Sequence, residues 1–319
     1  MPTDPNTLSL PDLYEHLAGT GLTRRLLELA RDEDLGPDQR DITAELVAEA
    51  PETTAAVRCR KQAVVAGLAC IPELFDVFGA EVEADMLAAD GETLHAGDDV
   101  LTLRGPLTEI VRVERTLLNL LGRLSGIATR VRDFASRIPE GCTLLDTRKT
   151  TPGLRALEKY AVRCGGGALH RLGLHDAVLI KDNHIAHLSE RALSDFASRA
   201  AEAGRLQNAA FVEIEVDTLP QLRAVLAAQT PVDIVLLDNM TTDELRQAVE
   251  IRNQVAAGVK LEASGGISLD AIADVAATGI ERVSVGSLTH QARSIDFGLD
   301  IDRSPSPAEP RSGESELSA

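Results

Sequence analysis

The sequence predicts an α/β protein whose second half is a barrel of parallel strands, and one repeated device carries that prediction. From about residue 142 onward, a short apolar run ending in a polar residue recurs as CTLLDTRK, DAVLIKDN, FVEIEVD, DIVLLDN, VKLEASGG and RVSVGS. Helical stretches such as SERALSDFASRAAEAG and TTDELRQAVEIRNQVAAG stand between the runs. Strands alternating with helices indicate βαβ units and a parallel sheet. So many consecutive units suggest a barrel, whose site forms at the C-terminal ends of its strands. An open doubly wound sheet is the alternative, and the lack of a G-x-G-x-x-G after a first strand counts against it.

The elements follow in chain order. Residues 1–21 read as a polar, turn-rich extension. LTRRLLELARDEDL then places Leu22, Leu26, Leu29 and Ala30 at helical spacing. Between residues 53 and 105 the apolar runs AAVRC, AVVAG and DVLTLRG are divided by turns such as DGET and AGDD, the pattern of a small β-rich domain. Helical period returns over 107–137 through Ile110, Val113, Leu117, Leu120, Leu121 and Leu124. A first domain over 22–125, a barrel domain over 126–302 and a tail over 303–319 result. RSPSPAEPRSGESELSA is too rich in Pro, Ser and Glu to bury a core, so the tail is expected to be disordered.

Composition narrows the function. A net charge of −18 argues against nucleic-acid or anionic-membrane surfaces. The N-terminus MPTDPNTLSLPDL shows no basic region followed by an apolar run, and no apolar stretch approaches the roughly 18 residues of a membrane helix. Cys59, Cys70, Cys142 and Cys164 are scattered without metal-ligand spacing, as free thiols in a reducing cytosol would be, so a cytoplasmic location is expected.

Against this acidic background, residues 146–183 stand out. They hold three of the five lysines, Lys149, Lys159 and Lys181, in a chain with 27 arginines, and His170 and His175 as well. Lysines kept beside glycines suit a site for carboxylate or phosphate groups. The strand ends carry Asp146, Arg148, Lys149, Lys181, Glu215, Asp217, Asp238, Glu262 and Ser264. Glu215 and Asp238 can hold ribose hydroxyls or Mg²⁺, and Asp238 can equally cap a helix. Lys181 reads as an anion clamp or as a Schiff-base nucleophile. The small-residue turns in EASGGIS and SVGSLTH follow the last two runs, where barrels often bind phosphate. GGG at 165–167 fits no phosphate loop.

DTRKTTPGLRALEKYAVRCGGGALHRLGLHDAVLIKDNHI resembles the signature of the quinolinate phosphoribosyltransferase family. EDLGPDQRDIT (33–43), ERTLLNLLGRLSGIAT (114–129), EIEVD, LLDN, EASGGI and SVGSLTH follow in that family's order over roughly residues 22–300, although GPDQRD departs from the usual spacing. The resemblance implies an N-terminal α/β sandwich domain, a C-terminal incomplete α/β barrel and a homodimer with shared active sites. It implies that quinolinate and phosphoribosyl pyrophosphate give nicotinate mononucleotide, pyrophosphate and CO₂ with Mg²⁺. Carried over residue by residue, Arg148, His170, Arg171 and Lys181 line the quinolinate pocket, Thr147 and Lys149 belong to the same clamp, and Arg115 reaches in from the other subunit. Glu215 and Asp238 hold ribose hydroxyls or metal, and Ser264, Gly265, Gly266, Val285, Gly286 and Ser287 cradle the 5′-phosphate. Lys149, Lys181, Glu215 and Asp238 are the expected catalytic residues. The chemistry suits the residues, since adjacent ring carboxylates call for several cationic donors and no side-chain nucleophile. Three other readings compete: a phosphoribosyltransferase-like paralogue linked to molybdenum transport, a barrel aldolase using Lys181, and a non-catalytic phosphate-binding regulator.

Overall fold

The computed structural model describes residues 3–47 and 51–301. The expected tail lies outside the described residues. The chain opens with α1 (Leu10–Ala18), α2 (Leu22–Leu35) and α3 (Ile42–Leu46). It continues through β1 (Glu52–Cys59), β2 (Ala63–Val64), α4 (Ile71–Phe78), β3 (Glu83–Met86), β4 (Thr93–Leu94) and β5 (Asp99–Pro106) into the long helix α5 (Leu107–Ala135). β1 buries alternate residues, Ala55, Val57 and Cys59, as a strand with one face on a core must. That face packs with Leu27 of α2, Ile71 and Leu74 of α4, and Ile110 and Leu117 of α5 in one apolar core.

The second half alternates as the runs predict. In order come β6 (Thr143–Leu145), α6 (Arg155–Cys164), β7 (Val178–Ile180), α7 (Asp182–Ile185), α8 (Glu190–Leu206), β8 (Val212–Val216), α9 (Leu219–Leu226) and β9 (Ile234–Asp238). They are followed by α10 (Thr242–Val255), β10 (Lys260–Ser264), α11 (Ile272–Ala276), β11 (Arg282–Ser284) and α12 (Ser287–His290). The six strands form one parallel sheet in the order β6-β11-β10-β9-β8-β7. A parallel bridge between Leu145 and Ala168 adds a short seventh stave beyond β6. That stave and β7 face each other across the gap of an incomplete barrel, with the Arg171 guanidinium donating to the Ala177 carbonyl at 3.3 Å.

Four features depart from the sequence reading. The stretch before residue 21 contains α1, capped by Ser9, whose hydroxyl accepts from the Asp12 N–H. Leu13 and Leu17 sit one turn apart and are buried in the barrel-side core. So short a helix shows too few turns for a period to stand out. In α2, Leu22 and Leu29 are exposed, while Thr23 and Leu27 face inward, so the buried stripe is rotated from the expected one. α4 interrupts what reads as a β-rich stretch. The last strand, β12 (Phe297–Ile301), leaves the barrel and pairs antiparallel with β1, giving the first sheet the order β12-β1-β5-β3.

α5 runs unbroken between the two units. Its residues from Ile110 to Leu121 belong to the first core, and those from Leu124 to Phe134 belong to the barrel-side core. At 1.5 Å per residue its 29 residues span about 43 Å.

Candidate active site

Alternation along parallel strands points every second side chain into the barrel. In β8 those residues are Glu213 and Glu215, while Val212, Ile214 and Val216 join the core outside. The same parity places Leu236 and Asp238 of β9, and Glu262 and Ser264 of β10, on the inner side. Pairing of Asp238 with Ser264 in register brings the C-terminal ends of these strands side by side.

Around the mouth the residues fall into sectors. Cations flank the gap: Arg148 and Lys149 follow β6, Arg171 follows the seventh stave, and Lys181 follows β7. Lys181 Nζ lies 3.6 Å from Glu215 Oε2, with the lysine side chain half exposed. Acids occupy β8 and β9. Burial pushes the Glu215 carboxyl above its ordinary range, Lys181 pulls it back, and Asp238 and Asp182 push it up again. Asp217 is raised by burial and by the same two aspartates. Small residues follow β10 and β11. Gly265 has φ +99°, and a Cβ there would collide with Asn239, reaching its backbone N at 2.8 Å. Asn239 itself is left-handed at φ 54°, a conformation that Asn tolerates better than most residues. At Gly286 a Cβ would lie 2.7 Å from Lys149 Cδ, in a flexible side chain that can give way, and 3.5 Å from Thr147 Oγ1. Thr147 and Lys149 therefore lie directly beside the turn at 285–287.

Arg171 is buried, and burial followed by the charge of Arg148 lowers its pKa. The Arg148 Nε is buried too and has no hydrogen-bond partner. Two guanidiniums that close together, with so few protein partners, form a site prepared for an anion.

His170 sits beneath them with its ring turned inward. Its Nε2 lies 2.9 Å from Glu213 Oε2 and 3.4 Å from Glu262 Oε1, and its Nδ1 accepts the Arg171 N–H at 2.8 Å. Burial disfavours the imidazolium, but hydrogen bonds to Glu213 and Glu262 outweigh burial and raise its pKa. The Arg171 N–H at Nδ1 and the two carboxylates at Nε2 fix the ring's orientation. Burial and the Glu262 charge raise the Glu213 carboxyl above its ordinary range. Glu262 stays ionised beside Arg282, 2.7 Å away. The three donors lie close enough together for a cation, but Glu262 already pairs with Arg282. The sequence reading makes His170 a pocket-lining donor. Both its ring nitrogens are engaged within the chain, which places it in the floor of the site.

Lys159, part of the lysine cluster, is not in the mouth. It is buried in α6, 2.6 Å from Asp146, which is buried as well. The pair grips the His170 backbone: Asp146 Oδ1 accepts its N–H at 2.8 Å and Lys159 donates to its carbonyl at 3.2 Å. Lys159→Ala leaves an uncompensated buried carboxylate and should cost about 3–5 kcal/mol. Urea unfolding measures this, and a loss below about 1 kcal/mol would show that the pair is not a strut.

Two recesses elsewhere lack these residues. One of about 390 Å³ lies between β7 and α8, and one of about 560 Å³ at the N-terminal ends of β8–β11 is lined by Asp233, Lys260 and Arg282. Neither holds the convergent groups of the C-terminal mouth.

The C-terminal domain of the quinolinate phosphoribosyl transferase family matches residues 127–300, and its N-terminal domain matches residues 41–125. The chain belongs to the quinolinate phosphoribosyl transferase family. It is 38% identical over 270 residues to a probable nicotinate-nucleotide pyrophosphorylase [carboxylating] of Bacillus subtilis, covering 84% of this chain and 90% of that one. It is 42% identical over 247 residues to the nicotinate-nucleotide pyrophosphorylase [carboxylating] of Mycobacterium leprae, covering 76% and 84%. Among solved structures it resembles the nicotinate-nucleotide pyrophosphorylase of Francisella tularensis with a TM-score of 0.79 at 34% identity, over 94% of this chain and 99% of that one.

Arg115 stands apart from the residues around the mouth. It is exposed on α5, and its ion-pair partner among the described residues is Glu114 at 4.0 Å. Arg130, fifteen residues on and about 22 Å along the helix axis, is the α5 residue that reaches the turn at 287, donating to the Ser287 carbonyl at 2.8 Å. Arg123, which holds the Thr289 carbonyl, is eight residues from Arg115, so Arg115 stands about 12 Å along α5 beyond a residue tied to its own mouth. Sequence reasoning passed over Arg123, Glu158 and Thr289, which tie the mouth loops together. Glu158 and Thr289 are buried polar residues, a property that the sequence does not display.

Proposed function

We propose that this protein transfers the phosphoribosyl group of phosphoribosyl pyrophosphate to quinolinate and releases CO₂, giving nicotinate mononucleotide and pyrophosphate. The observation that carries the reading is the Arg148–Arg171 pair, two guanidiniums short of partners and matched to adjacent ring carboxylates. With the ring held there, its nitrogen attacks C1 of the sugar, an N–C bond forms, and the C1–O bond to pyrophosphate breaks. The CO₂ then leaves from the carbon next to the cationic nitrogen, and that carbon takes a proton. The flanking cations stabilise the negative charge that develops on it. The small-residue turns Ser264–Gly266 and Val285–Ser287 offer backbone N–H groups to the 5′-phosphate, beside Thr147 and Lys149. Glu215 and Asp238 accept from the ribose hydroxyls.

The acids on β8 and β9, Glu215 buried and Asp238 partly exposed, also suit a hard cation that prefers oxygen ligands, so Glu215 and Asp238 fit Mg²⁺, directly or through the donor. When bound, the ion supplies charge neutralisation at the pyrophosphate. Chelation should weaken donor binding in calorimetry, and Mg²⁺ should restore it.

The shared dimeric site is part of the same reading. Val111, one turn before Arg115, is exposed on the same helix, as are Ile42, Leu46 and Val47 of the α3 region, and apolar side chains left in water favour a second copy as their cover. We further place the protein in the cytoplasm, which its free cysteines fit; no helix of the described residues is long and apolar enough to cross a membrane. An aldolase reading gains nothing from the site, because Lys181 is half exposed and ion-paired with Glu215 rather than sequestered among apolar groups.

The test is direct. Purified protein with quinolinate, phosphoribosyl pyrophosphate and Mg²⁺ should yield nicotinate mononucleotide and pyrophosphate in equal amounts. Folded protein that yields neither would overturn the reading.

A further inference from the structure

We propose that Thr289 is a positioning residue that sets the spacing between the cationic loop at 147–149 and the turn at 285–287, with Arg123 and Glu158 as its buried anchor. The inference rests on the reading that both loops hold the phosphoribosyl donor, and it deepens that reading.

Thr289 is fully buried in α12. Its hydroxyl donates to the Lys149 carbonyl at 2.7 Å and has the Gly286 carbonyl 3.2 Å away. A hydroxyl has one proton to give, and the shorter contact takes it. The bond thus runs across the mouth from one loop to the other. The Thr289 carbonyl accepts from Arg123 Nη2 at 2.8 Å, and Arg123 Nη1 holds the Ala292 carbonyl at 3.0 Å. Arg123 pairs with Glu158, 2.7 Å away and fully buried in α6. Glu158 accepts from the Thr151 hydroxyl at 2.8 Å and from the Thr151 N–H at 3.1 Å. The ring closes where it began, in the loop at 149–151.

This ring ties α5, α6 and α12 to the two loops, and it uses only the carbonyl of Lys149. The ammonium of Lys149 is left for a ligand. The loops already touch, since a Cβ built on Gly286 would lie 2.7 Å from Lys149 Cδ and 3.5 Å from Thr147 Oγ1. A ligand held by both needs that spacing kept to well under about 1 Å, the scale at which misplacement costs binding and rate. Removing the hydroxyl frees the turn at 285–287 to shift, while the loop that carries Arg148 stays tied to Glu158 through Thr151, so the arginine pair and the quinolinate floor stay in place. Thr289 is therefore expected to act on one substrate alone.

The test separates the hydroxyl from the shape. Thr289→Val keeps the volume and removes the donor, whereas Thr289→Ser keeps the donor and removes a methyl. With full-length protein and Mg²⁺, calorimetry should show phosphoribosyl pyrophosphate affinity falling at least tenfold in Thr289→Val. Quinolinate affinity should stay within twofold, and Thr289→Ser should recover donor affinity to within threefold of the wild type. Arg123→Lys, which keeps the charge beside Glu158 but loosens the hold on the Thr289 and Ala292 carbonyls, should show the same selective loss, so the proposal remains testable if Thr289→Val does not fold. Equal loss for both ligands, or a Ser variant as weak as the Val variant, overturns the proposal. Because affinity is measured apart from turnover, wild-type protein that binds both ligands without product would instead overturn the proposed reaction.

Discussion

Arg148→Ala and Arg171→Ala should each weaken quinolinate binding by roughly tenfold to a hundredfold, while phosphoribosyl pyrophosphate binding stays within twofold. A hydrogen bond to a charged group is worth about 1.5–3 kcal/mol, which sets that range. The structure makes the expectation sharper than a charge count does. Arg171 is buried and has its pKa lowered by burial and by Arg148, and the Arg148 Nε is buried without a partner. The free site thus stores repulsion that a dicarboxylate relieves. Removing Arg148 should relieve it as well, so Arg148→Ala should melt no lower than wild type. Calorimetry with each substrate and a thermal melt decide the matter. Equal weakening of both substrates would remove these arginines from the quinolinate pocket.

The second large effect is complementation between subunits. Arg115→Ala and Lys181→Ala chains should each be inactive alone. A purified heterodimer of the two should recover about half the wild-type activity, because one of its two sites carries both defects and the other carries neither. The motive is the position of Arg115, exposed on α5 and about 12 Å along the helix beyond Arg123, which is tied to its own mouth. An Arg115 serving only as a surface partner of Glu114 would contribute little, and Arg115→Ala would then keep its activity. A heterodimer shown to form yet devoid of activity would place Arg115 in the site of its own chain.

Much of this molecule was legible in its sequence. The six runs became six strands of one parallel sheet, because the face of each strand that packs under the helices must be apolar, and that shows in a single line of text even where Glu213, Glu215 and Glu262 point into the barrel. The strand-end positions were legible for the same reason, as Lys181, Glu215, Asp238 and Ser264 mark where apolar runs stop. The glycine turns also announced themselves, and at Gly265 a side chain would meet the Asn239 backbone.

The tertiary structure decided which charges are free to act. Lys149, Lys159 and Lys181 look alike in the sequence, yet Lys159 is spent on Asp146 inside the protein while the other two stand at the mouth. His170 reads as a donor, yet its ring is held by Glu213, Glu262 and the Arg171 N–H. β12 reads as part of the barrel and pairs with β1 instead, more than 230 residues back along the chain. Local pattern follows from which atoms a residue has and how often its type recurs. Whether a charge is paired, buried or left waiting depends on partners far away in sequence, and those partners meet only once the chain has folded.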